Sequence, residues 1–219
     1  MKVTLCIPTL NRYDLLDRVI QSAEAGIVKP DFYHIIDNGT KLGLDFASYI
    51  SNKIKITRPY KNLGVAASWN LFIHDNNDIR IVCNDDVIFY EDTVKRLVDG
   101  FDENNVTYPL GIPSTNSFSC YTLPNKVVKD VGLFDEKISP GYAYYEDNDY
   151  HRRMLSLGHD IVGIKDCKLW HDNSSTMKNY SKEELENHHT RFKRATYNYK
   201  MKWGGLPGNE SLVVPRDLV

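Results

Sequence analysis

The chain has 219 residues, enough for one substantial core and at most two modest domains. With 42% hydrophobic and 26% charged residues it reads as a folded protein, which excludes a disordered or low-complexity chain. The formal net charge of -2 supplies no general field for nucleic acid, and no apolar run has signal-peptide or membrane-spanning character. A cytoplasmic protein is therefore expected, with peripheral contact at the inner membrane face as a further option. Cys6, Cys83, Cys120 and Cys167 lie far apart without a CxxC pair or zinc-finger histidines, so buried thiols are expected rather than disulfides or a zinc site.

In chain order, KVTLCIP is a short apolar run ending at Pro8, and the next segment has apolar residues at Leu15, Leu16, Val19, Ile20 and Ala23. This predicts a strand and then a helix, with Asn11 and Asp14 suited to the helix start. The alternation continues with strand FYHIID, a weaker helix around LDFASYIS and the short strand KIKITRP. The segment NLGVAASWNLFIHD then presents Val65, Trp69, Phe72 and Ile73 on one stripe, before the strand IRIVCND. Strands separated by helices predict a mainly parallel sheet.

The second half is less regular. Helices are expected at EDTVKRLVDGF, at NKVVKDVG and over roughly Tyr144 to Leu157, with extended segments at YPLGIPS and SFSCYTLP and two strands, DIVGIK and CKLWH. A long helix runs from Ser181 to about Met201, with acids early and bases late, as the helix dipole favours.

Ligands of an open parallel sheet bind at the carboxyl ends of its strands. Three such ends are polar here: Pro8-Thr9-Leu10-Asn11-Arg12, Asp37-Asn38-Gly39-Thr40 and Asn84-Asp85-Asp86. Each alone suits an ordinary turn, but three together favour a site. The phosphate loop GxxxxGK[ST] and the dinucleotide fingerprint GxGxxG are both absent, so phosphate has to be held otherwise. The vicinal carboxylates of Asn84-Asp85-Asp86 offer hard oxygen ligands for Mn2+ or Mg2+.

The segments IPTLNR, IIDNGT, NLGVAASWN, CNDDV, LFDE and YYEDNDYHRR, with a later WHDNSS and KWGG, occur in an order and spacing that resemble an inverting GT-A glycosyltransferase of family two. The resemblance implies an α/β GT-A fold: a Rossmann-like mixed, mainly parallel sheet flanked by helices, with a C-terminal helical extension. It implies one catalytic domain over 1–180, with a nucleotide-binding half (1–90) and an acceptor half (91–180), then a helix and tail over 181–219.

Residue by residue, it implies that Thr9 and Arg12 border the nucleotide and that Asp37 contacts its base or ribose. Asn62 and Gly64 would line the donor pocket, and Pro8, Asn11, Asn38 and Asn70 join the donor set from the same segments. Asn84, Asp85 and Asp86 occupy the family's DxD position, with an amide at the first place and Asp86 as the main metal ligand. His171 is either a further metal or diphosphate contact or a partly buried histidine at a strand end.

For the catalytic base, helical spacing gathers Ala143, Asp147, Tyr150, Met154 and Leu157 on one face. Asp147 then sits at the mouth of an inward stripe, and Asp149 points elsewhere. The resemblance puts the base at the same Asp147, with Glu146 beside it. The implied partners are a nucleotide-sugar donor and an acceptor that is a glycan, lipid-linked sugar, protein or nucleic acid.

Ser139-Pro140-Gly141-Tyr142 reads as a plain turn or as a mobile lid. The late helix mixes Arg191, Lys193, Arg194, Lys200 and Lys202 with Tyr197, Tyr199 and Trp203, which reads as a solvated face or as a contact for an anionic membrane or acceptor. Its docking stripe is expected at Leu185, His188, Phe192, Ala195 and Tyr199. Two other readings are a sugar-phosphate nucleotidyltransferase, which normally needs a glycine-rich basic loop that Thr9-Leu10-Asn11-Arg12 lacks, and a non-catalytic nucleotide-sugar-binding module.

Overall fold

The computed structural model describes residues 1–40, 48–74, 78–111, 117–172 and 181–217. The ends of the expected helix near LDFASYIS, of the run YPLGIPS and of the segment WHDNSS lie partly outside these residues.

The first half alternates as the periodicity predicts: β1 (Val3–Thr9), α1 (Tyr13–Glu24), β2 (Phe32–Asp37), a 3-10 segment (Ser48–Lys53), β3 (Ile54–Thr57), α2 (Gly64–Ile73) and β4 (Ile79–Cys83). The second half holds β5 (Val87–Phe89), α3 (Thr93–Asp99), β6 (Val106–Gly111), β7 (Cys120–Thr122), α4 (Asn125–Val131), α5 (Glu146–Ser156), β8 (Ile161–His171) and α6 (Lys182–Trp203). Among the described residues the strands form one sheet in the order β3-β2-β1-β4-β7-β6-β8-β5. Its first four strands are parallel, and β7 joins β4 antiparallel. The sheet is thus the mixed, mainly parallel sheet of an α/β fold, as expected.

Period-two alternation divides the core into two layers. Leu5, Ile7, Ile35 and Ile81 face α1 and α3, where Leu16, Val19, Ile20 and Leu97 cover them. Cys6, Ile36 and Val82 face the other way, onto Trp69, Phe72, Tyr121, Phe134, Tyr150 and Met154. The four cysteines are buried, as expected.

Several details depart from the sequence expectations. No side chain caps α1: Asn11 is left-handed (φ 57) and its Oδ1 instead accepts from the backbone N–H of Thr40 at 2.8 Å, tying the loop after β1 to the loop after β2. The two expected strands DIVGIK and CKLWH are one strand, β8, which absorbs the polar Asp166 in a left-handed bulge (φ 60) while its register against β6 shifts. Helix α5 begins at Glu146, because Tyr144 and Tyr145 are left-handed (φ 97 and 68), so Ala143 is not on its face. Tyr150 and Met154 are buried as the stripe requires, but Leu157 is 53% exposed. Asp149 is wholly buried against α6, contrary to its expected place off the inward face.

Helix α6 starts with a capping box in which Ser181 Oγ accepts from Glu184 N and Glu184 accepts from Ser181 N. His188, Ala195 and Tyr199 dock, whereas Leu185 and Phe192 remain more than a third exposed. No helix among the described residues is long and apolar enough to cross a membrane.

Candidate active site

The carboxyl ends of β1 and β4 converge with the N-terminal turns of α2 and α5 on a cleft of about 560 Å³. Of the residues singled out from sequence, Pro8, Thr9, Asn38, Asn62, Gly64, Asn84, Asp85, Asp86, Glu146, Asp147 and His171 line it. Asn11, Arg12, Asp37 and Asn70 do not.

At the end of β1, the Thr9 hydroxyl donates to Asp85 Oδ2 at 2.7 Å. Burial pushes the Asp85 carboxyl up to about 7 against the pull of that hydrogen bond, and neighbouring Asp86 adds to the rise. Arg12 pairs with Asp14 at 3.2 Å and feels the charges of Asp85 and Asp86. Asp37, at the end of β2, is 1% exposed and accepts from the Tyr13 hydroxyl (2.9 Å), the Gly39 N–H (3.1 Å) and Arg58 (3.3 Å). It organises the loop behind the cleft. Asn38 bridges to α2, accepting from Leu63 N and donating to Ser68 Oγ, both at 2.9 Å.

The turn into α2 depends on a glycine. Asn62 Oδ1 accepts from Gly64 N at 2.8 Å, and Gly64 has φ +79. A Cβ there would lie 2.3 Å from Tyr142 N, because Val65 N donates to Tyr142 O at 2.7 Å and draws the Ser139–Tyr142 segment against the helix. That segment is an anchored turn: Tyr142 N donates to Ser139 O at 3.1 Å and Ser139 Oγ to Ala143 O at 2.6 Å. Asn70, farther along α2, accepts from Phe134 N at 2.8 Å and donates to Phe134 O at 3.0 Å. It is therefore a clamp on the loop before α5, outside the cleft.

At one end of the cleft, Asp86 Oδ1 lies 3.0 Å from His171 Nε2, and His171 Nδ1 lies 3.2 Å from Ser119 Oγ. The pairing of β5 with β8 sets this distance, since Val87 is the register partner of His171. The donor set fits a divalent ion of the Mn2+ or Mg2+ kind: one hard carboxylate oxygen and one imidazole, with the second ring nitrogen oriented by a hydroxyl. No cluster of three or more acidic, histidine or cysteine ligands exists among the described residues, so an ion held by Asp86 and His171 would leave positions open for a ligand's oxygens and water.

At the start of α5, Asp147 Oδ1 accepts from Asn148 N at 2.8 Å. Glu146 is 4% exposed, and its Oε2 has no hydrogen-bond partner among the described residues. Burial and the adjacent Asp147 charge push Glu146 up to about 8; burial also raises Asp147. Two left-handed tyrosines lead into these acids, a strained backbone of the sort that accumulates at functional sites.

Sequence reasoning missed an aromatic wall. Trp69, Phe118, Tyr144, His188 and Phe192 all line the cleft. Tyr144 meets Phe192 edge-on at 5.0 Å between centroids, and the Tyr142 hydroxyl is hydrogen-bonded to His188 Nδ1. The stripe containing His188 and Phe192 was legible as a docking face, but nothing local showed that it docks onto the cleft rim.

Comparison with known proteins adds a family model described as glycosyl transferase family 2, which matches residues 4–127, more than half of the chain. No curated protein matches the sequence. Among solved structures, a mannosyltransferase from Pyrobaculum calidifontis in complex with GDP-Man and Mn2+ superposes with a TM-score of 0.66 at 10% identity, over 97% of this chain and 68% of that one. S. aureus TarS 1-349 in complex with UDP-GlcNAc gives 0.62 at 14% identity, over 97% of this chain and 68% of that one, and the longer TarS chain is covered to 40%. GalNAc-T7 with UDP, GalNAc and Mn2+ gives 0.64 at 12% identity, over 96% of this chain but only 52% of that one. At these identities the likeness is one of fold.

Proposed function

The chain belongs to glycosyl transferase family 2, and from that premise we propose that it moves a sugar from a nucleoside-diphosphate sugar to an acceptor hydroxyl, with inversion and with help from a divalent metal. The observation that carries this reading is that the Asp86–His171 pair and the Glu146–Asp147 pair line the same cleft. Structural relatives solved with nucleotide sugars or nucleotides, two of them with Mn2+, support it.

In this mechanism Asp147 accepts the proton of the acceptor hydroxyl. The hydroxyl oxygen forms its bond to the anomeric carbon as the bond from that carbon to the diphosphate oxygen breaks, and the nucleoside diphosphate leaves with the electron pair. Asp86 and His171 would hold Mn2+ or Mg2+, which when bound neutralises charge developing on the leaving diphosphate. Glu146, kept protonated near neutral pH by burial, leaves Asp147 as the charged member of the pair. Thr9, Asn38, Asn62 and Gly64 border the space for the donor.

The test is Asp147→Asn. Transfer should fall by roughly 10²- to 10⁴-fold while nucleoside-diphosphate binding in Mn2+ persists. Unchanged turnover with a nucleotide sugar that binds would refute the assignment of the base.

A further inference from the structure

A second concavity of about 490 Å³ adjoins the cleft, and the two share Asn62 and Tyr142 as walls. Its charge is unlike that of the cleft. Lys61, from the loop before α2, and Arg191 and Arg194, three residues apart on α6, line it together. All three are exposed, and none forms an ion pair with a carboxylate among the described residues. The Arg191 guanidinium is steered over the Tyr142 ring, 5.0 Å from its centroid. Among the described residues the only carboxylate lining the groove is Glu136, whose Oε1 accepts from the Asn70 amide at 2.9 Å.

Three cations lining one concave surface, Lys61 with its Nζ 5.5 Å from the Tyr60 ring centroid, repel each other, and an anion relieves that repulsion. Paired guanidinium forks suit the oxygens of phosphate better than a single point charge does. The position indicates which phosphate. Among the described residues the groove has no wall from the ends of β1, β2 or β4; of the residues that border the donor space it shares Asn62 alone, and it meets the cleft there and across Tyr142. One helix serves both concavities, with His188 and Phe192 on the cleft and Arg191 and Arg194 on the groove.

We propose that this groove binds a phosphate group of the acceptor, beside the hydroxyl that receives the sugar. The proposal rests on the sugar-transfer reading of the cleft and names its acceptor class: a phosphate ester, borne either on a soluble chain or on a lipid headgroup.

The full chain is titrated calorimetrically with glycerol 2-phosphate, in Mn2+ and a saturating amount of whichever of UDP, GDP or dTDP binds best. One phosphate ester should bind per chain, weakening as NaCl is raised. The double variant Arg191→Gln/Arg194→Gln should bind it about tenfold or more weakly, with nucleotide affinity unchanged. Lys61→Gln should move in the same direction, so the answer does not hang on one variant. Sedimentation with vesicles containing phosphatidic acid distinguishes the sources: pelleting that needs Arg191 and Arg194 assigns the phosphate to a lipid, and ester binding without pelleting assigns it to a soluble acceptor. Equal ester affinity in wild type and both variants overturns the proposal, as does acetate binding as tightly as the ester. If no nucleoside diphosphate binds, the sugar-transfer reading fails by itself, and the same titration on nucleotide-free protein still judges the groove.

Discussion

Trp203 Nε1 donates to Asp149 Oδ1 at 2.9 Å, joining the last turn of α6 to the first turns of the helix that bears Asp147. Asp149 has no exposed surface, and it also meets Lys202 Nζ at 2.6 Å and Arg153 Nε at 2.9 Å, while Lys202 reaches Asp135 at 2.7 Å. Removing Asp149 takes this carboxylate from Arg153 and leaves Lys202 with Asp135 alone. Asp149→Ala should therefore destabilise the fold by about 3 to 5 kcal/mol, read by urea denaturation. Loss under 1 kcal/mol would mean that α6 docks through its aromatic residues alone.

The buried acid pair makes stability depend on pH. Glu146 holds its proton to about 8 in the folded protein, above its ordinary value of 4.5. Its contribution is fully present below that ordinary value and is lost as pH rises through 8, with a slope of at most about 1.4 kcal/mol per pH unit. Glu146→Gln should flatten the melting temperature between pH 5 and 8.5. Because burial also raises Asp147, the acid limb of the rate profile should lie above the usual aspartate range.

Ligand linkage tests the proposed metal role of Asp86. With Mn2+ present, a cognate nucleoside diphosphate at about 100 times its Kd should stabilise the wild type by about 2.7 kcal/mol. Chelation, or Asp86→Asn, should abolish most of this gain in a thermal shift assay. A gain that survives both would remove Asp86 from the metal site.

Two glycines separate close packing from backbone conformation. Gly64→Ala would drive a Cβ to 2.3 Å from Tyr142 N at φ +79, whereas Gly132, at φ +84, has nothing within 4 Å of its Cβ position. Gly132, with ψ -156, lies in a region that only glycine visits readily, so Gly132→Ala should cost about 1 to 3 kcal/mol in chemical denaturation. Gly64→Ala should cost more than Gly132→Ala, because the Ser139–Tyr142 turn has to move off α2, and donor affinity should fall with it.

Asn70 discriminates between two roles. As a clamp on both backbone groups of Phe134, its replacement by alanine should cost about 2 to 3 kcal/mol of stability with the KM for donor unchanged. A raised KM in a protein of normal stability would return Asn70 to the donor site.

Much of the architecture was legible because it is written in local periodicity. Apolar residues alternating along β1 and β4, and recurring every three or four along α1 and α2, identify strands and helices whatever surrounds them. The polar strand ends were legible too, since a parallel sheet presents them on one edge. Thr9, Asn38, Asp85 and Asp86 could thus be singled out without coordinates.

Long-range contact decided the rest. Asp37 and Asn70 lie off the cleft lining, and what holds them there are partners distant in sequence, Tyr13 and Arg58 for one and Phe134 for the other. The left-handed Tyr144 and Tyr145 shorten α5 for no reason visible in their neighbours. The stripe on α6 announces that it buries something, but a periodic apolar face carries no address; its seat beside the cleft is set by Asp149 against Lys202 and Trp203, more than fifty residues farther along the chain.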